Sequence, residues 1–172
     1  LEETLKHELN HIYLNNISNS YSFPSWFKEG MAISESVGGL SFPQIILFSS
    51  AKWANRLYGI SDLDYSFIQH NRNESKLAYA QSYLMFRALD HYYGSDIYHD
   101  IIQKMHQGSK FWDALIDITQ DNKSNIQDKI KQFLDKKYNW IFLLNKYNLI
   151  FLFLPLVLIL GYLYKKYKNK KL

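Results

Sequence analysis

The sequence predicts a mainly α-helical protein with one transmembrane helix near its C-terminus. Apolar residues recur at intervals of three to four along most of the chain, which is typical of amphipathic helices. No segment shows the sustained alternation of apolar and polar residues that indicates a strand. Residues 149–164 carry no charge and no side-chain amide, which indicates a membrane span. The 14 Tyr, 11 Phe and 4 Trp favour a packed core over a disordered chain.

The part before the apolar run divides into successive helices that end at glycines or polar loops. A first helix, from residue 1 to about residue 15, is indicated by apolar residues three or four apart, namely Leu1, Leu5, Leu9 and Ile12. A polar loop follows to residue 20. Pro24 suits the first turn of a second helix, and the pair Gly38–Gly39 ends it. Further helices are expected at residues 43–58, 74–93, 96–105, 110–119 and 124–138.

The apolar run is interpreted as a membrane anchor. As a helix, its 16 residues extend about 24 Å, so a span of residues 147–164 is needed to approach a hydrocarbon core of roughly 30 Å. The alternatives are a buried core helix and the apolar region of a signal, and the C-terminal position with the lysine-rich tail at 165–172 argues against both. Lysines favour the cytoplasmic side. We therefore expect a single-pass protein with a cytoplasmic tail and an extracytoplasmic N-terminal domain.

The distribution of charge argues against a nucleic-acid-binding function. The whole chain has a net charge of +4, but five lysines and no acid lie after Tyr164. Without that tail, 15 basic and 16 acidic residues leave a balance of −1. The folded part is therefore near neutral, unlike a nucleic-acid-binding domain. Because the chain has no cysteine, disulfides, thiolate metal ligands and thiol nucleophiles are excluded.

The stretch HELNH at residues 7–11 has the spacing of a zinc site. His7 and His11 lie four residues apart, so a helix projects both from one face and both can bind one Zn²⁺. Glu8 is rotated about 100° from His7, so it can act on a metal-activated water without occupying a coordination position. Chance would produce such a pattern in roughly one chain in a hundred, so the motif needs support elsewhere.

Glu29, in the stretch PSWFKEGMA, is the candidate third ligand. A catalytic zinc keeps three protein ligands and one open position. Glu29 follows His11 by 18 residues and lies on the next predicted helix. The small residues Gly30 and Ala32 beside it would let two helices approach closely enough to share a metal. A surface carboxylate is the usual fate of a lone Glu, but the upstream histidines favour the ligand.

HELNH and WFKEGMA together resemble the motifs of the gluzincins, zinc metallopeptidases whose third ligand is a Glu on the following helix. The chain is most similar to the peptidase MA-like family. The resemblance covers about residues 1–138 and continues through ISDLD, AYAQSY and QGSKFWDAL, at residues 60–64, 78–83 and 107–115. It implies a zincin-like helical core. It also implies strands before the HELNH helix, and since none is in view we expect the chain to be truncated at its N-terminus.

The resemblance implies roles for individual residues. One zinc ion per chain would be bound by His7, His11 and Glu29, with Glu8 as the catalytic base.

In related gluzincins a Tyr or His stabilises the oxyanion from across the cleft. Tyr79 is the first candidate, and Tyr83, one turn later on the same face, is the alternative.

One position departs from the family pattern. Many members carry an acid four residues after the Glu ligand, where it can orient a zinc-bound histidine. This chain has Ile33 there, so either Glu35 or a backbone carbonyl takes that role, or the site is weakened. The remaining histidines lack motif context and are assigned no metal; they are His70, His91, His99 and His106.

The sequence thus predicts four segments: a peptidase domain at 1–138, a juxtamembrane linker at 139–146, a transmembrane helix at 147–164 and a basic tail at 165–172. The predicted function is that of a membrane-anchored zinc metallopeptidase that acts on peptides or proteins. The alternative is a catalytically idle peptidase-like domain that binds or regulates at the membrane. An integral-membrane protease of another zinc class would need several spans, and this chain offers one.

Overall fold

The computed structural model describes residues 1–17, 22–64, 72–144 and 146–169. All regular structure within these ranges is helical, which confirms the predicted class. A 3₁₀-helix at Ile141–Leu144 precedes the last of the α-helices. These are α1 (Glu2–Ile17), α2 (Ser25–Ser36), α3 (Phe42–Trp53), α4 (Arg72–Tyr93), α5 (Ile97–His106), α6 (Phe111–Thr119), α7 (Lys123–Lys136) and α8 (Lys146–Asn169).

The boundaries follow the predicted ones except at α3. That helix ends at Trp53, five residues before the predicted end, and Asn55 just beyond it has a φ of 53°. A left-handed residue of this kind cannot continue a right-handed helix, and asparagine adopts the conformation more readily than most residues. α2 ends near Gly38, whose φ of 73° suits glycine. Of the predicted polar loop, residues 18–20 lie outside the described ranges.

The hydrophobic core is built around α4. α2 packs along α4 and buries Trp26 and Phe27, and the Phe27 ring lies 5.5 Å from that of Phe86. Helices α6 and α7 add further apolar side chains to this core. The α4 residues buried here are Leu77, Ala78, Ala80, Leu84, Met85, Phe86, Ala88 and Leu89.

The closest approach between α2 and α4 occurs at Gly30. A Cβ atom at this position would lie 2.6 Å from the Ser82 carbonyl oxygen and 2.6 Å from Phe86 Cβ. Only glycine fits such a contact. The small residue beside Glu29 thus permits a close helix contact, but the partner at Gly30 is α4, whereas the expected partner was the HELNH helix α1.

α1 packs against the rest of the molecule through the face that carries its histidines. Its apolar stripe lies on the opposite side and is exposed, with Leu5, Leu9 and Ile12 keeping 59%, 51% and 55% of their surface. Leu14 is the buried residue of this helix. The apolar spacing that predicts the helix therefore does not mark the face by which it joins the described core.

Residues 146–169 form a single helix, α8, which contains Pro155. Large apolar side chains from Phe153 to Tyr164 are exposed along it. Across the part of the chain that the structure describes, no helix combines the length and the apolar content that a membrane crossing requires. The helix predicted at 147–164 is thus present as part of α8, and its role as a transmembrane segment stays a prediction.

Candidate metal centre

α1 and α2 bring the three predicted zinc ligands to one point. Nε2 of His7 and Nε2 of His11 lie 3.1 Å apart. Oε2 of Glu29 lies 3.3 Å from the first of these nitrogens and 3.5 Å from the second. Among the described residues, no other group of histidines and carboxylates converges in this way. All three side chains are partly buried, with 23%, 22% and 16% of their surface exposed.

These separations fit a tetrahedral zinc ion. Ligands about 2.0–2.1 Å from a tetrahedral centre lie about 3.3–3.4 Å from one another. The three observed distances fall on both sides of this value. In addition, Oε2 of Glu29 is buried and has no hydrogen-bond donor. A buried carboxylate oxygen is normally paired, so this atom is suited to a cation.

Burial sets the protonation of two of the ligands. It raises the pKa of Glu29 to about 7, an effect that the charge of Lys28 opposes and that of Glu8 reinforces. Burial also lowers the pKa of His11, with smaller contributions from His7 and Lys28 in the same direction and from Glu8 in the opposite one. The shift at His11 favours the neutral imidazole, which is the form that binds a metal.

Glu8 lies beside the centre and is exposed to solvent. Its charge acts on the pKa values of His11, Glu29 and Tyr79, so its carboxylate is close to all three. It forms no hydrogen bond or ion pair within the described residues. The carboxylate therefore lies next to the metal centre without a polar partner among the described residues.

The two candidate tyrosines have different surroundings. Burial raises the pKa of the Tyr79 hydroxyl, and the charges of Glu29 and Glu8 raise it further. Tyr83 donates a weak hydrogen bond of 3.3 Å to the Gly38 carbonyl oxygen. Burial raises its pKa as well, but its charged neighbours are Arg87 and Asp90. Of the two, Tyr79 is the one whose electrostatic neighbours are residues of the metal centre.

Among the described residues, no acid other than Glu29 forms a hydrogen bond or ion pair with His7 or His11. Ile33 is buried, and Glu35 is exposed without a hydrogen bond or ion pair to either imidazole. Within the described ranges, the polar partners of His7 and His11 are each other and Glu29. The expected role for Glu35 is therefore not realised.

Lys28 is a residue of the site that the sequence analysis did not identify. It precedes Glu29, and its charge lowers the pKa values of both Glu29 and His11. The only signal for it in the sequence is its position beside the ligand.

Among the described residues, the other histidines are not part of the metal centre. His91 is exposed on α4, with its ring 5.3 Å from that of Phe133, while His99 and His106 lie on α5. His70 is outside the described ranges.

Comparison with known proteins bears on the domain that contains the metal centre. The family model described as the peptidase MA superfamily matches residues 2–136, a range that contains α1 to α7 and every residue of the metal centre. No curated protein and no solved structure matches the chain. Because the family match spans most of the sequence, the chain belongs to the peptidase MA superfamily.

Proposed function

We propose that this chain is a zinc-dependent metallopeptidase that hydrolyses peptide bonds. The observation that carries the proposal is the convergence of His7, His11 and Glu29 at 3.1 to 3.5 Å, with a buried carboxylate oxygen that lacks a hydrogen-bond donor. Membership of the peptidase MA superfamily supports the same reaction class.

The residues around the centre suit the steps of peptide hydrolysis. When bound, a zinc ion supplies Lewis acidity, which lowers the pKa of a coordinated water and polarises a carbonyl oxygen. Glu8 accepts the proton of the attacking water and passes it to the leaving amine. Tyr79 keeps its proton at neutral pH, because the ordinary pKa of a tyrosine is about 10 and burial raises that of Tyr79 further. Its hydroxyl donates a hydrogen bond to the oxygen on which negative charge develops.

The proposed substrate is a peptide or a protein. Attack by an activated water on an amide carbonyl is the chemistry that this combination of ligands, base and hydroxyl donor supports. The near-neutral balance of the chain before its basic tail gives no reason to propose a nucleic acid as partner.

The central experiment measures zinc content and peptide hydrolysis for the unaltered chain and for Glu8→Gln. We expect one zinc per chain in both proteins and a loss of turnover of about 100- to 10,000-fold in the variant, because the amide cannot act as a base. Glu35→Gln is the matched control, since Glu35 is exposed and has no contact with the imidazoles. This control should cleave at the unaltered rate.

Two outcomes would contradict the proposal. A folded chain that binds no zinc would favour the idle peptidase-like domain, with a binding or regulatory role. Normal cleavage by Glu8→Gln would mean that Glu8 is not the base.

Attachment to a membrane is a separate part of the proposal, and it rests on the sequence. The exposed apolar side chains of α8 between Phe153 and Tyr164 precede the basic tail. We propose that this helix holds the chain at a membrane, with the tail on the cytoplasmic side. In cell fractionation the protein should pellet with membranes and resist alkaline carbonate, whereas removal of residues 147–172 should release it. Recovery of the full chain in the carbonate supernatant would contradict the anchor.

Orientation can be tested with introduced cysteines, because the chain has none of its own. An impermeant maleimide applied to intact cells should label Ser22→Cys and leave Asn169→Cys unlabelled. The reverse pattern would contradict the proposed topology.

A further inference from the structure

The helix that carries the third ligand receives its N-terminal cap from a distant part of the chain. The residue before α2 is Pro24, which has no side-chain acceptor, and no cap from its side chain is formed. The Pro24 carbonyl oxygen accepts hydrogen bonds from the N–H groups of Phe27 and Lys28, at 3.0 and 3.1 Å. The Ser25 N–H does not donate to this carbonyl oxygen. The first N–H groups of a helix have no acceptor within the helix, so Ser25 needs an acceptor from outside it.

Asp64 supplies that partner. Its Oδ1 accepts a hydrogen bond of 2.6 Å from the Ser25 N–H, across 39 residues of sequence. A carboxylate at this point also interacts favourably with the helix dipole. The aspartate is held in place by its neighbour Leu63, which is fully buried, and by a turn in which the N–H groups of Asp62 and Leu63 donate to the Gly59 carbonyl oxygen.

Glu29 lies between two fixed points of α2. Four residues before it, or about 6 Å along the axis, Ser25 is bound by Asp64. One residue after it, Gly30 is in backbone contact with α4 at Ser82. A helix fixed at both points cannot readily rotate or slide, and a metal site loses affinity when a ligand is misplaced by a fraction of an ångström.

We propose that Asp64 is a positioning residue for the metal centre: by fixing the first residue of α2, it sets where the Glu29 carboxylate meets His7 and His11. This inference rests on the proposed zinc site. Asp64 touches neither the ligands nor the substrate in the proposed mechanism, so it acts only through the helix.

Zinc affinity, measured by competition with a chromophoric chelator on the folded full-length chain, tests the proposal. We expect Asp64→Ala to bind zinc about 10-fold more weakly, as is usual when a residue that orients a ligand is lost. Asp64→Asn keeps an acceptor for Ser25 and should recover most of the affinity. Asp62→Ala, in the same turn, removes an exposed side chain and should bind as the unaltered chain does.

A second cap distinguishes positioning from stability. Asn122 caps α7 by accepting a hydrogen bond of 2.8 Å from the Asn125 N–H. Asn122→Ala should lower the free energy of unfolding as any lost cap does, but it should leave zinc affinity unchanged. Asp64→Ala should lower both the free energy of unfolding and the zinc affinity.

A variant on the donor side covers the case in which Asp64→Ala does not fold. Ser25→Pro removes the N–H and the Ser25 hydroxyl, which forms no hydrogen bond among the described residues. Proline is favoured at the first position of a helix, and the ψ of 145° at Pro24 suits a residue before proline, so the backbone need not change. It should weaken zinc binding to the same extent as Asp64→Ala. Unchanged zinc affinity in a folded Asp64→Ala or Ser25→Pro overturns the inference. If the unaltered chain itself bound no zinc, that result would contradict the proposed function, and this inference, which rests on the zinc site, would be wrong as well.

Discussion

Nε2 of His7 and Nε2 of His11 lie 3.1 Å apart on successive turns of α1, and both approach the same oxygen of Glu29. Three atoms at these separations can bind one zinc ion together, so each imidazole would supply one of the three protein ligands. Zinc binding should therefore depend steeply on each imidazole.

The first prediction concerns these imidazoles. His7→Ala or His11→Ala should weaken zinc binding by at least about 100-fold, since a ligand is lost rather than a residue that supports one. His99→Ala is the control, because His99 is exposed on α5. Chelator competition gives the affinities. Equal affinity in all three variants would place the metal elsewhere.

The second prediction separates the two tyrosines. Tyr79→Phe should lower kcat about 100- to 1,000-fold with little change in KM or zinc content, because it removes a donor that acts on developing charge. Tyr83→Phe loses only a weak bond of 3.3 Å to the Gly38 carbonyl and should keep nearly full activity. Steady-state kinetics on both variants decides between them. A larger loss in Tyr83→Phe would reverse the assignment.

The third prediction concerns the stability of the metal-free chain at different pH values. Burial raises the pKa of Glu29 from 4.5 to about 7, so the folded state binds a proton more tightly than the unfolded state does. The resulting stability is fully present below about pH 4.5 and is lost as the pH rises towards 7, by about 3 kcal/mol in total. The lowered pKa of His11 acts in the opposite direction in the same range.

Glu29→Gln isolates the carboxylate, because it cannot titrate. The difference in unfolding free energy between the two metal-free proteins, from urea denaturation at several pH values, should change in the variant's favour between pH 4.5 and 7. With zinc bound, the free energy of unfolding of the unaltered chain should instead rise with pH. Zinc binding requires the deprotonated carboxylate and should strengthen as the pH rises. A pH-independent difference would show that Glu29 is not perturbed.

The fourth prediction concerns the contact between α2 and α4. Gly30→Ala places a Cβ atom 2.6 Å from the Ser82 carbonyl oxygen, so the helices must move apart. Overpacking of this kind should cost about 1–3 kcal/mol and should also displace Glu29 enough to weaken zinc binding. At Gly39 an added Cβ meets only Tyr83 Oη at 3.8 Å, so Gly39→Ala is the control. Equal stability of both variants in urea would contradict the close approach.

The three zinc ligands could be proposed from the sequence because two of them depend only on local geometry. A spacing of four residues places His7 and His11 on one side of any helix, whatever the helix packs against. Glu29 required more, since 18 residues and a loop separate it from His11. It was proposed from its place on the next predicted helix and from the histidines upstream, and the resemblance of its motif supported it.

Other features of the site depended on how the helices pack. Tyr79 and Tyr83 share one face of α4, so periodicity could not choose between them, whereas the neighbouring charges distinguish them. Glu35 is the acid nearest in sequence to Ile33, so it was a candidate to orient a ligand histidine. In the structure its side chain is exposed to solvent instead.

By itself, the sequence determined the helical class, the approximate limits of most helices and the pairing of His7 with His11, because all of these follow from the repeat of a single helix. Only the tertiary structure decided which face of each helix is covered. It turned the histidine face of α1 inward and left Leu5 and Leu9 exposed, and it placed Gly30 against α4. The reason is physical: periodicity along the chain states which residues share a face, but the partner of that face is fixed by packing between residues far apart in sequence.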